Sequence, residues 1–334
     1  MTHISLAHGN GGRLMRELIE EILAPALRNP ELDVNVDAAS LPLELDGHAL
    51  MFTTDGFTVK PLEFPGGNIG SLAVHGTVND LAVSGAIPHY LSLNMFIEEG
   101  FELAQLRRII TSLAEAAAQA GVRVAAGDTK VVGRGEGGGL YLATTGVGLR
   151  PRDLLLGFDQ IQDGDAILVS GPVGDHGVAV MLAREQFGLR GDVQSDAASV
   201  LPLTRAAVAL PGLRFMRDPT RGGLATVLNE LHRGTGHGVR VQEARVPVRD
   251  PVRGVCEMLG YDPMYLACEG RVVAVVAQSN AGQLLASWQA LAQGSDAAII
   301  GRIDNATRHV TLETELGGER ILEELEDDPL PRIC

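Results

Sequence analysis

The sequence predicts an α/β (α+β) chain of two mixed-sheet domains followed by a flexible C-terminal tail. Three observations carry this. Strand-like and helix-like segments alternate in the order β-α-β-α-β-β over the first 150 residues. A similar alternation restarts around Arg150-Pro151-Arg152. The length, 334 residues, fits two cores better than one. We therefore expect an N-terminal domain over 1–150, a C-terminal domain over 151–315 and an acidic, proline-containing tail over 316–334.

The elements follow from local pattern. A Gly-rich turn, His8-Gly9-Asn10-Gly11-Gly12-Arg13, leads into an amphipathic stretch from Leu14 to Leu23. Such a turn before a helix exposes backbone N–H groups that can hold an anion. Ala49–Thr54 reads as a buried strand ending at Asp55-Gly56. Phe64-Pro65-Gly66-Gly67-Asn68 opens a helical pattern through Ile69, Leu72, Ala73, Val78 and Leu81. A strand over Tyr90–Phe96 and a helix over Leu103–Ala120 follow, then a strand over Val122–Ala126 that ends at Gly127-Asp128-Thr129-Lys130. Leu140–Leu149 reads as a fourth strand.

In the second half, Asp165–Ser170, Val239–Val248, Arg271–Ala277, Ala297–Ile303 and His309–Glu315 read as strands. Helical patterns occupy His176–Gln186, Ala197–Leu210, a stretch from Asp218 through about His232, Asp250–Leu259 and Gln283–Ala292.

Composition narrows the function classes. Apolar residues make up 45% of the chain, which suits a packed globular protein. The formal net charge of −15 argues against a nucleic-acid surface. The first residues show neither the basic start nor the apolar run of a signal peptide, and no stretch of about 18 apolar residues suggests a membrane span. Three cysteines, Cys256, Cys268 and Cys334, stand far from any metal-ligand spacing, which suits reduced thiols in the cytoplasm.

Chemistry concentrates in a few stretches. Asp55, Asp80 and Asp128 end or follow apolar segments beside glycines, where carboxylates make good ligands for Mg²⁺. Each could equally be a turn or cap residue. Asp80 stands out because it sits between Val78 and Leu81 in an apolar helical run, and a buried charge needs a partner or a metal. Lys130 lies two residues beyond Asp128. Asp218-Pro219-Thr220-Arg221-Gly222-Gly223 combines a helix cap with an arginine suited to phosphate or carboxylate. Glu269 precedes a strand, at an edge from which a carboxylate can face a cleft or solvent. The last residues, Pro331-Arg332-Ile333-Cys334, with Pro329 before them, describe a stiffened arm with a thiol at its tip. Six extended residues reach roughly 20 Å. The acidic run before the arm and the C-terminal carboxylate disfavour a thiolate at Cys334, which argues against a redox sensor.

Taken together these stretches resemble the PurM-like family of ATP-dependent enzymes. The matching segments are His8–Gly12, Thr53–Phe57, Phe64–Gly70, Gly76–Leu81, Gly127–Val132, Asp218–Gly223, Glu269–Arg271 and Pro331–Cys334, in order along the chain. The terminal cysteine points to the branch that serves hydrogenase maturation. The resemblance implies two α/β-type domains, a homodimer built through the N-terminal sheets, and ATP with Mg²⁺ near the interface. It also implies that the carbamoyltransferase HypF loads a carbamoyl group onto Cys334. ATP-dependent dehydration would turn that group into a thiocyanate, and the cyanide would pass to iron on the HypC–HypD complex. On this reading Asp55, Asp80 and Asp128 hold Mg²⁺. Asn10, Gly11, Gly12, Gly66, Gly67, Asn79, Asp218, Thr220 and Arg221 bind the nucleotide. Lys130 neutralises developing charge, and Glu269 is the base. Rival readings are a small-molecule synthetase or kinase of the same family, and a non-enzymatic thiol carrier. A selenophosphate synthetase would want Cys near the first glycine loop, and residues 8–13 hold none.

Overall fold

The structure is a computed structural model that describes residues 12–18, 20, 35, 39–184, 191–314 and 316–326. Asn10, Gly11, Cys334 and the arm leading to it lie outside these residues.

Two sheets organise the molecule. After a short helix α1 (Arg13–Leu18), the first sheet takes β1 (Ala39–Leu45) and β2 (His48–Phe57). A two-stranded ribbon, β3 (Glu63–Phe64) and β4 (Gly67–Asn68), then feeds helix α2 (Ile69–Val83). β5 (Ile87–Glu98), α3 (Leu103–Ala120), β6 (Arg123–Val132) and β7 (Leu140–Pro151) complete the unit. The strand order is β1-β2-β7-β5-β6, with only β5 and β6 parallel. Helix α3, between those two strands, is the crossover that a parallel pair requires.

The second sheet is built from β8 (Ala166–Val169), α4 (Asp175–Ala183), α5 (Leu201–Val208), β9 (Leu213–Arg217), α6 (Gly223–Thr235) and β10 (Val239–Gln242). It continues with α7 (Asp250–Leu259), β11 (Val273–Val276), α8 (Ala281–Gln289), β12 (Ala298–Ile303), β13 (Val310–Glu313) and β14 (Glu319–Ile321). Its order is β14-β13-β10-β12-β8-β11-β9. β8 and β11 are buried on both faces and read as continuous apolar runs, as strands sandwiched between helices do. One face packs on α6 and the other on α5 and α8, around Trp288.

Helix α2 is the pivot. Asn68 caps it, accepting from the N–H groups of Gly70 and Ser71, while Ser71 reaches back to the cap. Leu72, Ala73, Val74, Val78, Leu81 and Ala82 are all buried, so apolar residues surround the whole helix. Gly76 allows it to ride on β2, because a Cβ there would lie 2.8 Å from the Phe57 ring.

Four differences from the sequence reading matter. β6 does not end at Ala126; it runs on through Gly127-Asp128-Thr129-Lys130 to Val132, paired with β5 throughout. The stretch 197–200 is not helical, and α5 begins at Leu201. β10 stops at Gln242, short of the Val248 expected from periodicity. Beyond residue 315, where a tail was expected, β14 pairs with β13, and Leu322 and Leu325 are buried.

Candidate active site

Helix α2 and the edge of the second sheet meet at a small pocket. Asp55, Gly56, Phe57, Gly76, Asp80, Asp218, Thr220, Arg221 and Glu269 line it, and it has about 50 Å³ of room for water. Six of the expected site residues therefore converge: Asp55, Asp80, Asp218, Thr220, Arg221 and Glu269.

Four segments of the chain place them. Asp55 comes from the inner face of β2, where its Oδ1 accepts from the Gly56 N–H at 2.7 Å. Burial raises its pKa, opposed by that N–H and by the Arg221 guanidinium. Asp80 projects from α2, and its Oδ2 accepts from the Thr53 hydroxyl at 2.9 Å. The Asp218–Gly223 turn brings Arg221 in just before α6. Gly222 and Gly223 there have φ of 73° and 60°, a region costly for other residues. A Cβ on Gly223 would also lie 2.5 Å from the Leu266 carbonyl oxygen.

Glu269 lies in the turn before β11 and is buried rather than solvated. Burial holds its carboxyl well above the usual range, and Asp196, Asp218 and Asp55 push the same way; Arg221 opposes them. Burial and the protein's own carboxylates supply that shift without any bound phosphate.

Six expected residues fall elsewhere within one protomer. Asp128 sits beside Asn94, and Asn94 is opposite Ala143, which faces Gly56; Asp55, one residue earlier, faces Thr144. Because side chains alternate along strands, Asp55 and Asp128 lie on opposite faces of the sheet. Two strands separate their own, so about 14 Å divides them across the sheet. They do not share one ion in a single chain, and among the described residues no three His, Cys, Asp or Glu side chains form a metal cluster. Lys130, two residues on and exposed, shares the outer face. Asn79, expected to contact nucleotide, instead spends its amide inside the protein. It donates to the Ala198 and Glu269 carbonyls at 3.0 and 3.1 Å and accepts from the Val200 N–H at 2.8 Å. Gly66 and Gly67 open onto a separate groove of about 650 Å³, with Ser71, His75 and Ala198. Gly12 is described and buried, away from that groove's lining.

Sequence reasoning missed Asp196. It carries no motif, but its buried carboxylate accepts from the Glu269 and Gly270 N–H groups at 3.1 and 3.3 Å and pairs with Arg271 at 3.2 Å.

The family profile "AIR synthase related protein, N-terminal domain" matches residues 35–150, and "AIR synthase related protein, C-terminal domain" matches 162–312. The fold and the site thus define an AIR synthase related protein of the PurM-like class. "Carbamoyl dehydratase HypE" of Azotobacter vinelandii is 48% identical over 333 residues, covering 99% of this chain and 97% of that protein. A crystal structure of a HypE–HypF complex superposes with a TM-score of 0.87 at 41% identity, covering 92% of this chain and 99% of the other. The crystal structure of hydrogenase maturation protein HypE in complex with ATP does so at 0.82 and 41%, covering 99% and 100%. The chain belongs to the HypE carbamoyl dehydratase family.

Proposed function

We propose that this chain dehydrates an S-carbamoyl group on Cys334 to a thiocyanate, using ATP, and so supplies the cyanide ligand of a nickel–iron hydrogenase. The observation that carries the reading is the meeting of Asp55, Asp80, Arg221 and Glu269 in one pocket. In this reaction the carbonyl oxygen leaves, the two protons on nitrogen are lost, and a carbon–nitrogen triple bond forms. ATP supplies the phosphoryl group that makes the oxygen a leaving group.

The residues suit these needs. Asp55 and Asp80 are the carboxylates that would hold Mg²⁺. The fit is physical: Asp55 is half-buried with its charge disfavoured, and a cation beside it would reverse that. Arg221 offers a fixed cationic fork to phosphate. Glu269, its carboxyl biased toward the protonated form, retains a proton taken from the carbamoyl nitrogen. Cys334 is the acceptor thiol, and HypF, the partner in a relative's complex, is its donor. The HypC–HypD complex would receive the cyanide, in the cytoplasm; among the described residues no helix is long and apolar enough to cross a membrane.

A homodimer through the N-terminal sheets completes the proposal. Phe52, Tyr90 and Phe96 lie exposed on the sheet face away from α2. Asp128 and Lys130 stand on that face, so they would join a site from across the interface.

Asp80→Asn tests the metal role. It keeps an oxygen for Thr53 and should leave thermal unfolding unchanged while abolishing Mg-ATP-dependent dehydration. Wild-type turnover in that variant would remove Asp80 from the site.

A further inference from the structure

We propose that Asn79 and Asp196 are positioning residues that fix Glu269 from both ends of its peptide, so that α2 sets Asp80 and Glu269 together. The inference rests on the role of Glu269 proposed above. Asp196 takes the N–H of Glu269, and that of Gly270, on its two oxygens, at 3.1 and 3.3 Å. Asn79 holds the Glu269 carbonyl at 3.1 Å, and Ala198 N–H shares that oxygen at 3.4 Å. Both backbone polar groups of Glu269, its N–H and its carbonyl, are thereby taken.

The contacts cross between the two sheets. Asn79 is the residue before Asp80 on α2, so one turn of one helix carries a pocket carboxylate and the amide that grips the second. The same amide accepts from Val200 N–H and donates to Ala198 O, which locks the 196–200 strap against the helix. The strap in turn brings Asp196. Arg271 anchors that carboxylate at 3.2 Å while its Nε donates to Pro172 O at 2.9 Å. Gly270 is required in the turn because a Cβ there would lie 1.9 Å from the Asp196 carbonyl oxygen. Asn79 and Asp196 are buried, so neither amide nor carboxylate has water as an alternative partner. Nothing here touches substrate; the effect on chemistry runs through the Glu269 side chain, whose displacement by about 1 Å costs about 10²-fold in rate.

The test measures single-turnover dehydration of protein carbamoylated by HypF, against ATP concentration, for Asn79→Ala, Glu269→Gln and the double variant. Asn79→Ala should lose about 10²-fold in kcat with the ATP KM within about threefold of wild type. The double variant should be no slower than Glu269→Gln alone, because both act through one group. Amide hydrogen exchange in the peptide spanning residues 267–272 should quicken in Asn79→Ala. Losses that multiply in the double variant, or a raised KM with kcat unchanged, would overturn the proposal; the latter would return Asn79 to the nucleotide. If Asn79→Ala does not fold, Asp196→Asn carries the same cycle with the same outcomes. A wild-type chain that loads carbamoyl but does not dehydrate it with ATP would instead sink the reading on which the proposal rests.

Discussion

Glu269 and two histidines show how burial decides chemistry at single residues. Burial pushes the Glu269 carboxyl toward its neutral form, and neighbouring carboxylates add to it. Burial acts oppositely on bases: His75 and His176 are both lowered from 6.5 to about 4. Between pH 6.5 and 4 the unfolded chain binds protons at these rings that the folded chain does not, so acid lowers stability there. Asp175 opposes this. Raised from 3.8 to about 6 by burial and by Asp196, it holds a proton in the folded chain that the unfolded chain releases, so its contribution falls as pH rises through that window. Glu269 and Asp55, also raised by burial, act as Asp175 does, so histidines and carboxyls oppose one another and a single ring has to be read by itself. His75, whose Nδ1 has no hydrogen-bond partner, is the cleaner probe. His75→Leu should remove the acid destabilisation due to this ring, so that Tm at pH 4 relative to pH 6.5 is higher than in wild type; an unchanged difference would show that the ring is not held neutral.

At the scale of elements, helix α2 concentrates the design. It was legible in the sequence because its apolar residues recur at helical spacing and a Gly-rich turn opens it. Asp80 was legible too, as a carboxylate out of place in that pattern. The Gly-Asp-Thr-Lys stretch misled, because a glycine next to an aspartate reads as a turn, whereas pairing with β5 along its whole length holds it as strand. That pairing moved Asp128 to the other face of the sheet. Asp196 was invisible, since its role depends on a backbone 73 residues away. β9 and β14 also went unseen: each is short, and neighbours rather than composition make them strands.

The α2–α3 packing gives a test in which two effects compete. Gly70→Ala gains up to about 1 kcal/mol of helix propensity. The new Cβ would lie 2.3 Å from the Ile109 carbonyl oxygen of α3, a backbone atom that cannot swing aside. Overpacking of this kind costs about 1–3 kcal/mol, so the clash should win. Urea unfolding should show a lower midpoint at unchanged m-value, and a higher midpoint would refute the close approach.

At the scale of the whole molecule, the outer face of the first sheet is the unfinished surface. Leu50, Val147 and Leu149 stand half-buried among the exposed Ile87, Phe52, Tyr90 and Phe96, an apolar field on a chain of net charge −15. A patch of that kind marks an interaction site. Phe96→Asp should convert the proposed dimer to a folded monomer in sedimentation at micromolar concentration. Dehydration should fall with it, because Asp128 and Lys130 share that face. A dimer that survives the substitution would place the interface elsewhere.

The central claim is that Cys334 carries the group on which the pocket acts. The direct measurement is mass spectrometry of the C-terminal peptide after incubation with HypF, carbamoyl phosphate and Mg-ATP, in wild type and in Cys334→Ala. Wild type should gain one carbamoyl group on Cys334, then lose the mass of one water once ATP is present. Cys334→Ala should gain nothing while keeping its Tm, since neither remaining cysteine is open to a donor: Cys256 and Cys268 are both buried. A Cys334→Ala chain that still takes up carbamoyl and forms thiocyanate would contradict the account.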